Sequence, residues 1–566
     1  MISRKLIQKA KTILEKERGA VRKPWGGRIS ICLLYPNSYH VGMSNLGFQA
    51  VYQRLNSEDD VVCERAFLPD PEDLQDYQRT QTPLLSLESQ KPLSDFDLLA
   101  FSISFENDFL NILTLLDLAR IPLERGLRGE KDPLVMAGGV AVFLNPEPVS
   151  EFFDLFVLGE AEEVIGEFLE VYRHSGREDL LRRLAGVEGI YVPEFYHVTY
   201  GEDGRIGTID SEAGLPRKVK RRWISKIDRF PTQSSLFTPD TEFKEMAVVE
   251  VNRGCPRKCR FCAACFVYHP FRNRSLSLLE SLSREAISKG KRIGLAGTAI
   301  SDYPSLLPLS EDILTHGGGV SIASLRVDAI TPSLADCLRR GGVKAAAIAP
   351  EAGTERLRNV LKKGYGEDEI LRAIRTLFEN GLSQIKSYFL IGLPSETEED
   401  VKAILSLSKK IEHQIVSARA GEKKRWKLVL SVNPFVPKPA TPFQWVPFEK
   451  MGELKRKLKI LRNGVRREKN IEMIHDLPKW AYIQALLSRG DRRVGQILMA
   501  AHRHQGNWEQ ALRETSLNHD FFVYRRRDLD EIFPWDFIDH GIPKEKLRDE
   551  YLTAMKEAGV KLNDER

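Results

Sequence analysis

Cysteine is scarce in this 566-residue chain: seven residues, four of them crowded between positions 255 and 265. Cys32, Cys63 and Cys337 stand alone, which excludes a disulfide framework and any second cysteine pair for a two-pair zinc site. Such usage suits a reducing, cytoplasmic setting. No apolar run approaches the roughly 20 residues that span a bilayer. Residues 1–27 are basic but lack a continuous apolar core, which argues against a secretory signal. Nor is there a real excess of one charge: 84 Lys and Arg against 79 Asp and Glu leave +5 over the whole length, too thin to argue for a polyanion partner. Internal repeats and low-complexity stretches are missing too, which excludes a solenoid. What remains, 42% hydrophobic and 29% charged, is an ordinary globular composition long enough for two to four domains.

The informative stretch is Val251-Asn252-Arg253-Gly254-Cys255-Pro256-Arg257-Lys258-Cys259-Arg260-Phe261-Cys262, directly after the strand-like run Met246–Val251. Thiolates are the usual ligands of iron in iron–sulfur clusters. Cys255, Cys259 and Cys262 on one loop suit three corners of a cubic cluster and leave the fourth iron open to a substrate. A fourth thiol, Cys265, keeps a four-cysteine zinc or closed-cluster site in play, although a free cysteine is commonly just a small buried side chain.

The pattern divides the chain into five parts. A helical extension (1–27) has a basic face, read as packed on its own protein rather than on a membrane or RNA. Next comes a Rossmann-like α/β domain (28–175), with buried strands expected at Ile29–Tyr35, Leu98–Phe105, Leu134–Ala137 and Leu155–Leu158 and helices at Asn45–Leu55 and Asp108–Ala119. Strands alternating with helices predict a doubly wound parallel sheet whose ligands sit at the strands' carboxyl ends. Residues 176–242 form a connector. Over 243–444, strands at Met246–Val251, Arg292–Leu295, Val320–Leu325, Ala345–Ala349, Gln384–Ile391 and Leu428–Val432 predict a partial (β/α)6 TIM-type barrel with its site at the carboxyl ends. The last part, 445–566, reads as mostly helical. In it, Lys455 to Lys469 is an amphipathic core helix or, more sharply, an RNA-facing stripe, and Ser488–Arg493 has the make-up to frame an anionic group. Phe533-Pro534-Trp535-Asp536 reads as a buried aromatic corner.

The Cys-x3-Cys-x2-Cys spacing, with Phe261 before the third cysteine, resembles the signature of the radical S-adenosylmethionine (SAM) enzymes. The resemblance implies a [4Fe-4S] cluster whose open iron chelates SAM, and an electron that cleaves SAM to a 5′-deoxyadenosyl radical. It implies that Ala296, Gly297 and Thr298 take the place of the family's segment on the methionyl amino group, without its acid. Arg326 would meet the SAM carboxylate (or simply pair with Asp328), and Glu351 the ribose (or cap the next helix). Ile391 and Gly392 would meet the adenine edge and Phe261 its face. A flavodoxin- or ferredoxin-like electron donor follows from the same likeness.

The 28–175 part is similar to the cobalamin-binding domain that precedes this core in one large class of the family. The likeness rests on Tyr35-Pro36-Asn37, Gly42–Gly47, Gly138-Gly139, Asn145–Pro148 and Gly159–Glu163, and it makes Pro36, Asn37, Ser44, Ser102, Gly138, Gly139, Gly159 and Glu160 the corrin contacts. The Asp-x-His-x-x-Gly motif of classical cobalamin domains is absent, and His40 reads as structural. With cobalamin, the natural outcome is methylation of an unactivated carbon. Without it, the alternatives are a radical SAM enzyme that modifies RNA or an iron–sulfur sensor or electron carrier. The substrate is not named by these residues.

Overall fold

The computed structural model describes residues 2–322, 324–419 and 425–560. The chain forms two compact units, Met1–Glu245 with Leu486–Phe522 and Asp530–Gly541, and Met246–Ala485 with Val523–Leu529 and Ile542–Arg566.

In the first unit, β1 (Ile29–Tyr35), β2 (Val61–Phe67), β3 (Leu98–Ser102), β4 (Leu134–Gly138), β5 (Leu155–Val157) and β6 (Ile190–Tyr191) form one sheet in the order β2-β1-β3-β4-β5-β6. All neighbours are parallel except β6 against β5. The strands are near-continuous apolar runs because helices cover both faces. Helix Phe109–Ala119 buries Phe109, Ile112, Leu113, Leu115 and Leu116, and helix Leu46–Asn56 starts where the Asn45 side chain accepts the N–H of Phe48 at 2.9 Å.

Strand β2 was not expected, since Glu64 and Arg65 interrupt its apolar run. Arg65 is fully buried and pairs with Glu17 at 2.6 Å and Glu88 at 2.7 Å, so the charges enter the core already compensated. The basic helix Arg4–Lys16 buries Leu6 and Leu14 and sets Lys9 against Asp70 and Asp73, as expected of a helix packed on its own protein. His40 takes a hydrogen-bonding role, with Nδ1 2.9 Å from Asp240. The remaining strands here are β7 (Tyr196–Tyr200), β8 (Ile206–Ser211) and β9 (Val219–Lys220), the last paired with Ile538–Asp539.

The Ser488–Arg493 stretch is structural instead of a frame for an anion. Asn145 Nδ2 donates to the carbonyls of Ser488 at 3.1 Å and Gly490 at 2.8 Å. Arg492 pairs with Glu147 at 2.9 Å and Arg493 with Asp491 at 2.6 Å.

In the second unit, β10 (Ala247–Arg253), β11 (Arg272–Asn273), β12 (Ile293–Gly297) and β13 (Val320–Ile322) form a sheet in the order β11-β10-β12-β13. A second sheet runs β14-β15-β16-β17, from Ala345–Glu351, Gln384–Ile391, Lys427–Pro434 and Ile471–His475. Apart from β11 all are parallel. The Leu325 N–H donates to the Ala347 carbonyl at 2.9 Å, which links the chain beyond β13 to β14. The six expected strands are β10, β12, β13, β14, β15 and β16; Ala323, inside the third, lies outside the described residues, as do 561–566 of the tail.

The tail, expected to be helical, also supplies β17, whose alternating Ile-Glu-Met-Ile-His lays a further parallel strand beside β16. Helix Met451–Val465 buries Leu454, Leu458, Leu461 and Val465, and Lys457 is buried between Glu396 and Glu449. It is a core helix with a basic outer face. Among the described residues no helix is long and apolar enough to cross a membrane.

Candidate functional site

Parallel strands present their carboxyl-end loops on one side, and the cysteine loop grows from the end of β10. Gly254 turns the chain at φ +78°, and a Cβ there would meet the Tyr268 carbonyl oxygen at 2.5 Å, so only glycine fits. The loop is then braced from three sides. The Thr298 hydroxyl donates to the Gly254 carbonyl at 2.6 Å. The Arg260 backbone N–H donates to Leu361 at 3.1 Å, and its guanidinium to the Val360 carbonyl at 3.0 Å. That guanidinium also pairs with Glu550 at 3.1 Å and Glu557 at 2.5 Å, both on the helix Lys544–Glu557.

The three thiols on this loop are reduced and unpaired by disulfides. All three are held below the ordinary thiol range, first by the Cys265 thiol, which lies within hydrogen-bonding reach of each sulfur. Cys259 is lowered to about 6, with Lys363 and Arg326 adding their charge against the opposing effect of burial. Hydrogen bonds to Cys255, Cys259 and Cys262 push Cys265 itself up. Cys265 is therefore buried, as read from the sequence, but it is no bystander. Three thiols biased toward thiolate are the donor set that iron prefers, so the residues present fit a [4Fe-4S] cluster.

Around the loop stand several of the expected SAM contacts. At the end of β12, a Cβ on Gly297 would meet Asn252 Oδ1 at 2.5 Å. Asn252 donates to the Ala299 carbonyl at 2.7 Å and accepts the Ala299 N–H at 3.1 Å, which fixes the Ala296–Thr298 segment against the root of the cysteine loop. Past β13, Arg326 makes a two-point ion pair with Asp328, at 3.0 and 3.1 Å, and donates to the Lys363 carbonyl at 3.0 Å. At the end of β14, Glu351 adopts φ +67°, a strained value for a side-chain-bearing residue, with its carboxylate 3.3 Å from Lys363 Nζ. That ammonium lies 5.7 Å from the ring centre of Phe261. Cys259, Phe261, Arg326 and Glu351 are thus drawn together by one residue the sequence did not single out, Lys363.

Ile391 and Gly392 end β15 with their polar groups engaged. The Ile391 carbonyl accepts the Phe435 N–H at 2.8 Å, and the Gly392 N–H donates to Glu396 at 2.7 Å.

The residues expected to hold a corrin do lie at the carboxyl ends of β1, β3, β4 and β5, but they are spent on the chain itself. The Pro36 carbonyl accepts Asn111 at 2.9 Å, and Asn37 donates to Asp108 at 2.8 Å. Ser44 donates to the His40 carbonyl at 2.6 Å and accepts the Glu242 N–H at 2.9 Å. Ser102 sits in register with Gly138. Gly139, at φ +105°, is packed against the Ile103 carbonyl oxygen, which a Cβ would meet at 2.4 Å. Gly159, at φ +116°, is packed against the backbone of Arg222, whose oxygen an added Cβ would meet at 2.2 Å, and Glu160 accepts the Ile224 N–H at 2.8 Å. The side chains of Asn37, Ser44 and Glu160 are thus engaged within the chain.

Comparison with known proteins gives two family matches: the N-terminal domain of radical SAM proteins over residues 47–193, and the radical SAM superfamily over residues 249–408. An uncharacterised protein of Methanocaldococcus jannaschii is 28% identical over 477 residues, spanning 83% of this chain and 90% of that one. An uncharacterised methyltransferase of Pyrococcus horikoshii is 27% identical over 290 residues, 49% of this chain and 58% of that one. Among solved structures, the radical SAM methyltransferase TsrM from Kitasatospora setae, with cobalamin and a [4Fe-4S] cluster bound, is 13% identical, covers 93% of this chain and 100% of its own, and aligns with a TM-score of 0.47. With the three-thiol loop inside the second matched segment, the chain belongs to the radical SAM family.

Proposed function

We propose that the chain is an enzyme that cleaves SAM reductively at a [4Fe-4S] cluster on Cys255, Cys259 and Cys262, and directs the resulting radical chemistry to an unactivated carbon of its substrate. The observation that carries this reading is the set of three thiols biased toward thiolate on one braced loop, at the carboxyl ends of the strands that also bring Glu351 and Phe261 beside it. A cluster bound there supplies the electron and, at its iron without a protein thiolate, the coordination site for SAM.

The chain's own residues do the rest. Phe261 offers a face for the adenine, and the carboxylate of Glu351 an acceptor for ribose hydroxyls. The Ala296–Thr298 backbone, fixed by Asn252, borders the methionyl end. Of the three sulfur-bearing residues, Cys259 is buried and Cys255 and Cys262 are half-buried, so a ligand can reach the loop from its open side.

Transfer of a one-carbon group is the outcome we favour, supported by the methyltransferase relative. Cobalamin-assisted methylation is its finer form, with the corrin expected at the carboxyl ends of the first unit's strands, and no step is assigned to it. RNA as substrate is the second reading. It is favoured by the exposed Lys455, Lys459, Arg466 and Arg467 on or just beyond helix Met451–Val465, and it predicts binding that weakens steeply as salt rises.

The test is anaerobic purification and reconstitution, with iron, sulfide and corrin analysis, followed by an assay for 5′-deoxyadenosine and methionine after reduction. Iron and sulfide near four each with reductant-dependent cleavage are expected. Colourless protein with one bound zinc overturns the reading, as does a cluster indifferent to SAM.

A further inference from the structure

A buried cation stands where the cysteine loop meets the ends of two strands. Lys363 is only 7% exposed. Its Nζ is 3.3 Å from the carboxylate of Glu351 and 5.7 Å from the ring centres of both Phe261 and Tyr365. Its carbonyl accepts Arg326 at 3.0 Å. The segment carrying it is fixed on both sides, by Arg260 donating to Leu361 and by the Tyr365 hydroxyl donating to the Ala349 carbonyl at 2.6 Å.

Taking an ammonium out of water is costly, and one carboxylate partner seldom does more than break even against an apolar side chain of the same volume. A structural role therefore gives little reason for a charge here. The charge does have a second object, because Nζ lies 5.7 Å from the ring of Phe261, the neighbour of Cys262 on the cysteine loop. A cluster held by this loop would gain negative charge on one-electron reduction, and a fixed, buried cation beside it would be worth more than one in water.

We propose that Lys363 is a positioning residue for the cluster and for SAM. Its ammonium compensates the charge that the cluster gains on reduction, and it holds the Glu351 carboxylate, on its strained backbone, toward the bound nucleotide. The electron comes from an external low-potential one-electron donor and enters the cluster; Lys363 remains an ammonium throughout and moves no proton. The proposal rests on the cluster reading of the preceding subsection.

The experiment compares reconstituted wild type, Lys363→Met and Lys363→Arg, each first shown to carry the same iron and sulfide and to melt alike. Potentiometric titration followed by electron paramagnetic resonance then gives the midpoint potential and the SAM concentration that changes the reduced spectrum. In Lys363→Met the midpoint moves to more negative potential and the SAM requirement rises about tenfold, the scale of one charge-assisted contact; Lys363→Arg stays near wild type on both. Should Lys363→Met fail to load, Glu351→Gln carries the test, since removing the countercharge moves the midpoint the opposite way. A wild-type midpoint and SAM response in Lys363→Met, or an unmoved midpoint in Glu351→Gln, overturns the role of Lys363 alone. Wild type that takes up no cluster, or whose cluster ignores SAM, overturns the enzymatic reading and the proposal with it.

Discussion

The two units each carry a parallel α/β sheet with glycine-bearing loops at the strands' carboxyl ends, yet they treat those loops in opposite ways. In the first, Gly139 and Gly159 admit the chain's own backbone, and Asn37, Ser44 and Glu160 turn their polar atoms on neighbouring residues. In the second, Gly254 and Gly297 also serve tight packing, but what they position is a loop of reactive thiols beside a buried Lys–Glu pair. A ligand crevice at a strand's carboxyl end is a rule about topology. Whether a ligand is accepted depends on which donors and acceptors the loop leaves uncommitted.

Four substitutions sharpen this contrast, beginning with the largest effect. Cys259→Ala removes a ligand thiol from the second unit and is expected to abolish reductive SAM cleavage, with loss of cluster absorbance as the independent readout. Cleavage that survives in Cys259→Ala but fails in Cys265→Ala would reassign the ligands. In the first unit, Gly159→Ala places a Cβ against the Arg222 carbonyl at a positive φ. It should cost about 1–3 kcal/mol of stability, read as a lower denaturant midpoint. An unchanged midpoint would mean that the contact yields easily and that the crevice is less committed than it looks.

A last effect, confined to a pH window, is electrostatic. Burial pushes the Asp108 carboxyl up to about 6, with Glu106 adding to it against the hydrogen bond from Asn37, above the ordinary value near 4. The folded state thus favours the protonated form, so the stability it lends is complete below about pH 4 and lost as pH rises through about 6. Asp108→Asn keeps an acceptor for Asn37 and removes the titration. Wild type should lose up to about 3 kcal/mol relative to the variant between about pH 4 and pH 7; parallel pH curves would contradict the buried-acid assignment.

Much of the architecture was legible in the residues. β1 occupies the apolar run that marks it, Ile29–Tyr35, and six of the eight described strands of the second unit fall where short apolar runs end in glycine or polar residues. β2 escaped because burial of Arg65 depends on Glu17 and Glu88, and that of Glu64 on Trp25, Ser86 and Ser89, all of them partners outside the strand. β17 escaped because five alternating residues between helices carry too short a period. The three cysteines proposed as ligands are declared by spacing alone. Lys363 is not, because it follows Lys362 and nothing local separates the two. Only the fold turns Lys362 outward to Glu550 and Lys363 inward to Glu351. The packing of Gly159 against the backbone of Arg222 in the connector is a long-range contact that no local pattern encodes.

The grip of the helix Lys544–Glu557 on Arg260 has a consequence for how the enzyme is made. Its carboxylate partner Glu550 lies 290 residues further along the chain, so the three sulfurs leave the ribosome long before their loop acquires that clamp. A chain shortened before Lys544 would keep the three thiols but lose the Glu550 and Glu557 pairs to Arg260 that brace their loop.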